Sequence, residues 1–113
     1  MEIITSITEQ PKQKFILSLE NNESVEFYLY YSMSQKAWYF DFQYKDYICN
    51  GNKVVLTMNA LRHLRNKIPF GIAFVSGGQA DPFDLNDFKN QNVLMLLLNQ
   101  SDILDIESAE YDN

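Results

Sequence analysis

The chain has 113 residues, one ordinary domain's length, of which 46% are hydrophobic and 21% charged. These proportions exclude a wholly disordered chain. The net charge is −6, yet five of the acids (Asp102, Asp105, Glu107, Glu110 and Asp112) fall in residues 101–113, which hold no Lys or Arg. The remaining ten acids face nine bases, so the body is nearly neutral. No basic face for a phosphate backbone is expected, and hence no nucleic-acid binding. The single cysteine, Cys49, excludes an internal disulfide and suits a reducing cytoplasm. The N-terminus lacks the pattern of a signal peptide. The longest apolar run, Val93 to Leu98, is six residues, far short of the roughly twenty that cross a bilayer, so no membrane insertion is expected.

Alternation dominates the first half. Phe15, Leu17 and Leu19 share one parity; after Glu20-Asn21-Asn22-Glu23 the alternation resumes with Val25, Phe27, Leu29, Tyr31 and Met33. Period-two patterning with one apolar face is the strand signature, and the short polar link implies an antiparallel hairpin. A third run, Lys36 to Gln43, places Trp38, Phe40 and Phe42 on one face, expected in the core, with Tyr39 and Asp41 opposite. Asn50-Gly51 reads as a type I′ turn joining Tyr47-Ile48-Cys49 to Val54-Val55-Leu56. Residues 13–57 are thus expected to form a meander of about five strands, with Ile3 to Thr8 as an edge strand.

Met58, Leu61 and Leu64 then recur at a spacing of three, and Pro69 bars continuation. A short α-helix over residues 58–67, capped by Asn59 or Thr57, is predicted. Gly71 to Val75 reads as a short buried strand, Ser76 to Pro82 as a loop, and Val93 to Asn99 as a central strand buried on both faces. Phe83 to Lys89 suggests at most a single turn. The fold class expected is mainly β, a small antiparallel β-barrel or sandwich with one short α-helix. It divides into a single domain over 1–100 and an acidic C-terminal tail over 101–113, frayed or ordered by a partner. Alternatively, Ile103 and Ile106 finish the last strand.

Candidate chemistry is sparse. His63 is the only histidine and stands 14 residues after Cys49, a spacing that matches no metal or nucleophile motif. Asp81, Asp84 and Asp87 are spaced by three, but the order of a calcium loop is missing; capping of turns accounts for them. Gly77-Gly78 lacks the lysine of a phosphate loop. A side chain at Gly77 is expected to disturb assembly or folding through backbone geometry. No catalytic residue, cofactor or metal ligand is assigned. Tyr28, Tyr30, Tyr39, Tyr44 and Tyr47 suit equally an exposed contact surface or a second packed sheet face.

The run Ala37-Trp38-Tyr39-Phe40-Asp41-Phe42 follows two alternating strands. Then come Leu61-x-x-Leu64-Arg65, Pro69, the strand Gly71-Ile72-Ala73-Phe74-Val75, the loop Gly77-Gly78-Gln79-Ala80-Asp81-Pro82, and the closing strand Val93–Leu98. In this order they resemble the baseplate plug family of contractile-tailed phages, over about residues 12–100. The resemblance implies a non-enzymatic virion protein of the tail baseplate, phage or prophage, made in the host cytoplasm and seated in the tube and hub region. Implied partners are other baseplate proteins, such as the hub and tube initiator, and further copies in a symmetric ring. Trp38, Phe40, Phe42, Gly77, Gly78, Asp81 and Pro82 would serve as core and loop elements. The chain departs from the family in its polar Asn/Lys-rich segments and its longer acidic tail. The runner-up is a small β-domain module that binds a ligand or peptide through exposed tyrosines.

Overall fold

A computed structural model describes residues 1–77 and 81–111. Among these residues seven strands are present: β1 (Glu2–Ile3), β2 (Lys12–Ser18), β3 (Ser24–Ser32), β4 (Ala37–Tyr44), β5 (Tyr47–Lys53), β6 (Gly71–Ser76) and β7 (Val93–Leu98), followed by the helix α1 (Gln100–Tyr111). They make two antiparallel sheets, one ordered β2-β3-β4-β5 and one ordered β1-β7-β6. The sheets do not close on each other, so the fold is a sandwich and not a barrel.

The alternation read in the sequence sets the core. Phe27 pairs with Phe15 on one side and Phe42 on the other, Leu29 with Phe40, and Tyr31 with Trp38. Opposite residues in adjacent strands share a face, so this register lines up one continuous apolar surface. Phe27 stacks on Phe15 and on Phe40, each with ring centres 5.3 Å apart, and Phe40 reaches Phe74 of the second sheet at 5.6 Å. Trp38, Phe40, Phe42, Phe27 and Leu29 are all at most 1% exposed.

Four expectations are corrected. The meander has four strands, because Asn50-Gly51 lies within β5 and not at a hairpin tip. The tip is the two-residue link Lys45-Asp46, with Lys45 at φ 53°. Gly51, at φ +73°, instead opens a bulge: between the pairs Phe40–Asn52 and Phe42–Cys49, β5 carries one residue more than β4. The positive φ that Asn-Gly favours is used, but inside a strand.

The α-helix predicted over 58–67 is only a 3-10 turn at Arg62–Leu64. Leu61, Leu64 and Ile68 are buried, which explains the spacing. The chain there is held by the neighbouring β6 edge: Thr57 bridges Phe74, and the Ala60 N–H donates to the Ile72 carbonyl. Neither Asn59 nor Thr57 caps that turn, whose N-cap is Leu61 without a side-chain bond; the Asn59 Oδ1 instead accepts from the N–H groups of Leu61 (3.0 Å) and Ile72 (3.3 Å) and so ties the segment to β6.

The third correction concerns the acidic end. Residues 100–111 neither fray nor prolong β7; they form α1. Asn99 and Asp102 make a reciprocal cap, the Asp102 N–H donating to Asn99 Oδ1 (2.8 Å) and the Asn99 N–H to Asp102 Oδ2 (3.1 Å). Ile103 is 2% exposed and joins Ala73, Leu96 and Leu98 in a second apolar cluster, with Val75 and Ile106 packed beside it. The Arg65 Nε–Glu107 ion pair at 2.9 Å holds the helix further along. The molecule therefore has three layers, helix on three-stranded sheet on four-stranded sheet. The expected edge strand at Ile3 to Thr8 is shorter and earlier, Glu2–Ile3 paired with Leu97 and Leu96.

Candidate functional site

With α1 on one side and the shared core in the middle, the outer side of the four-stranded sheet is left without a covering layer. Its central row runs Lys12, Tyr30, Tyr39, Lys53 across the four strands. The adjacent row runs Lys14, Tyr28, Asp41, and the next Ile16, Glu26, Gln43, Ile48. Tyr30 and Tyr39 stack with ring centres 5.9 Å apart, and the Lys14 ammonium lies 5.5 Å from the Tyr28 ring. The Tyr30 hydroxyl donates to Asp41 Oδ1 (3.0 Å), and that oxygen also receives the Gly51 N–H (2.7 Å), so the bulge positions the carboxylate. Burial, and then this bond to Asp41, raise the Tyr30 hydroxyl above the usual tyrosine range. It therefore remains a protonated donor at neutral pH. Ile16 and Ile48 stand at the corners, 54% and 58% exposed.

The five tyrosines thus separate. Tyr28, Tyr30 and Tyr39 lie half-buried on the open face. Tyr44 is buried against Phe70, and Tyr47 packs on Phe42. At the turn end of the sandwich Tyr44 donates to Glu23 (2.6 Å), which also pairs with Lys45 (2.6 Å) and so joins two hairpin tips.

The opposite end carries the long connection between β6 and β7. Trp38 Nε1–H donates to the Asp84 carbonyl (3.0 Å), and the Tyr31 hydroxyl to the Phe83 carbonyl (2.7 Å). Phe88 meets Trp38 edge-on at 5.4 Å. Asp87, the buried charged residue beneath this segment, accepts from the N–H groups of Phe83 and Asp84 (both 2.9 Å) and from the Asn92 side chain (3.2 Å). Asp81 accepts from the Leu56 N–H (2.8 Å) and Asp84 from the Asn86 N–H (2.8 Å). All three carboxylates cap backbone, and Asp81 further ties the loop to residues 54–56. Pro82 is buried; Phe83 and Met33 are exposed at 58% and 74%.

Gly77 is exposed, has no positive φ, and an added Cβ would meet nothing within 4 Å. A side chain there thus meets no strain from φ or crowding within the copy, which leaves assembly as the step that the expected disturbance would affect. Gly78 lies outside the described residues. Asp87 was missed as the organiser because sequence spacing alone does not tell a buried carboxylate from two exposed ones.

Chemically reactive groups stay apart from one another. Cys49 is half-buried in β5 beside the Asn52 carboxamide (3.2 Å), while His63 is exposed on the 3-10 turn. Among the described residues no group of three or more His, Cys, Asp or Glu side chains is placed to hold a metal ion, and no helix is long and apolar enough to cross a membrane. A recess of about 320 Å³ opens at the turn end, between Leu19, Pro69, Phe70 and Leu98. It contains neither Cys49 nor His63.

The sheet edges are poor templates for added strands. β1 has two residues, β5 is broken by its bulge, β6 is occupied by Thr57 and Ala60, and β2 follows Pro11 and carries Lys12 and Lys14. Surfaces open to other proteins include the tyrosine face, the exposed apolar side chains at the loop end, and the outward side of α1 with Leu104.

Comparison with curated proteins gave no match. Comparison with protein families gave one whose model is described as "Cyanophage baseplate Pam3 plug gp18", matched by residues 1–100. The matched segment takes in both sheets, the docked loop and every residue of the open face, and stops where α1 begins. On that coverage, the chain belongs to the cyanophage baseplate plug family.

Proposed function

We propose that the chain is a non-enzymatic structural subunit of a contractile-tail baseplate, seated in the tube and hub region and repeated there as a ring. The family match over residues 1–100 is the observation that carries this reading. The architecture supports it, because the fold spends its aromatic residues on one rigid core and one open face while its reactive groups are scattered. A stiff sandwich with blunted edges suits a subunit that must meet several neighbours without polymerising through its strands. Residues 1–100 act as the plug domain, and α1 is an addition that this chain carries on its back. Its neighbours would be hub and tube-initiating proteins, met through Tyr28, Tyr30, Tyr39 and the exposed Phe83 and Met33. Synthesis takes place in the host cytoplasm, before incorporation into the virion.

The test is made on tail particles. A tagged copy should co-purify with baseplates and map near the tail axis, and particles made without the chain should lack an ordered tube–hub junction. Intact, infectious particles from which the protein is absent would sink the proposal. They would favour the runner-up, a β-domain that uses the same tyrosines to hold a ligand or peptide.

A further inference from the structure

We propose that the open tyrosine face of one copy receives the outward side of helix α1 of a second copy, so that copies join head to tail. This deepens the ring reading above, and it rests on that reading for the partner being the same chain. Three observations lead to it. The face is basic at its margins: Lys12 and Lys53 end the central tyrosine row, Lys14 begins the next, and the Lys12 and Lys53 ammonium groups have no ion-pair partner among the described residues. The helix is acidic: Gln100–Tyr111 holds four acids and no base, and while Asp102 and Glu107 are paired within the copy, Asp105 is exposed. Its exposed side presents Leu104 and Asp105 beside Ser108, and the Leu104 side chain is 53% exposed with no layer over it. An apolar and acidic helix side thus complements a tyrosine face bordered by lysines.

The third observation is geometric. α1 packs on the outer side of the three-stranded sheet through Ile103, while the tyrosines lie on the outer side of the other sheet. The two surfaces point in opposite directions through the full thickness of the sandwich. No copy can satisfy its own complementarity, and a pair joined this way still offers one free face and one free helix. Such a contact uses two different patches, so it propagates until a ring closes. The dimensions agree: twelve helical residues span roughly 18 Å, and four strands at about 4.8 Å spacing give a face of similar width. A contact of that size falls below the roughly 800 Å² per partner of a standard stable interface. Association in dilute solution is therefore weak and concentration-dependent, and it is strengthened where neighbours hold the copies around an axis.

The experiment is sedimentation of the full chain over rising concentration, in about 0.05 M and about 0.5 M salt. The expected result is reversible association at low salt that falls at high salt. A face variant carrying Lys12→Glu with Lys53→Glu, and a helix variant carrying Asp105→Lys with Ser108→Lys, should each associate about tenfold more weakly alone. Mixed together, the two should associate with each other, because the reversed face meets a reversed helix. All four positions are exposed, and circular dichroism of each variant confirms the unchanged fold. The proposal is overturned by a chain that stays monomeric up to about millimolar concentration, by association that ignores both variants, or by a mixture that fails to pair. Particles that contain the protein together with any of these results overturn the head-to-tail contact alone. Association as expected, with particles that lack the protein, overturns the baseplate reading instead.

Discussion

Removing the Asp87 carboxylate should detach the loop between β6 and β7 and leave the sandwich folded. Asp87 is 6% exposed and accepts three hydrogen bonds, two from backbone N–H groups and one from Asn92. A bond to a charged acceptor contributes roughly 1.5–3 kcal/mol. The freed amides belong to Phe83 and Asp84, which are exposed and regain water, so only part of that sum is lost on Asp87→Ala. We expect about 3 kcal/mol, which in a domain of this size lowers the melting temperature by about 12 °C. Asp87→Asn keeps the shape and one oxygen, and should lose about half as much. Calorimetry gives the magnitude, and fluorescence gives the place. Trp38 is the only tryptophan, its indole N–H bonds the Asp84 carbonyl, and Phe88 closes over its ring. A detached loop wets that indole and shifts its emission to the red well below the global transition. An Asp87→Ala protein that melts within about 2 °C of the parent, with unchanged emission, would refute the reasoning.

The two glycines beside the second sheet should behave oppositely. A Cβ at Gly71 would sit 2.7 Å from Asn59 Oδ1, an oxygen fixed by two backbone N–H groups, so Gly71→Ala should cost about 1–3 kcal/mol in denaturant titration. Gly77→Val meets open space and should stay within about 0.5 kcal/mol of the parent. Ile103→Ala removes a buried anchor of α1; a loss of about 2–4 kcal/mol together with reduced helical signal is expected, and a stability equal to the parent's would show that the helix contributes nothing to the fold. Acid should act at the hairpin tips. The hydrogen bond from Lys45, then that from Tyr44, hold the Glu23 carboxyl below the usual glutamate range. A depressed carboxyl stabilises the fold above the unfolded value and loses that contribution as pH falls through the folded one. Lys45→Ala should therefore flatten the stability-against-pH curve below about pH 4.5, and parallel curves for parent and variant would contradict the assignment.

The parts legible from sequence were those in which one face of a strand is buried and the other is not. From Phe15 to Phe42 the parity of the apolar residues determines strand, face and register together, because a one-residue slip would expose Phe27, Leu29 and Phe40 at once. What misled was local chemistry with two uses. Asn-Gly supplies positive φ equally to a hairpin tip and to a bulge, and the true tip, Lys45-Asp46, holds no glycine. Met58, Leu61 and Leu64 have helical spacing, but the backbone groups of the intervening Ala60 and of Thr57 before them are drawn to the β6 edge. Helix α1 was hidden because its apolar residues, Ile103, Leu104 and Ile106, are few among acids. The reciprocal pairing of Asn99 with Asp102 was readable as a helix start. The open face was half legible: alternation placed Tyr28, Tyr30 and Tyr39 opposite the core, but nothing in their spacing says that α1 covers the other sheet.

The pairing of Glu2 and Ile3 with Leu97 and Leu96 has a consequence for synthesis. The meander joins neighbours in sequence, so its four strands can pair as soon as they leave the ribosome. The other sheet waits for residues more than ninety positions later. Until β7 emerges, the nascent meander holds Val25, Phe27, Leu29, Trp38, Phe40 and Phe42 without their cover. A prematurely terminated chain would therefore be a sticky half-sandwich, a substrate for chaperones and proteases and not for the growing tail. The core closes only when β7 has emerged, so half-made chains expose the surface that the finished sandwich hides.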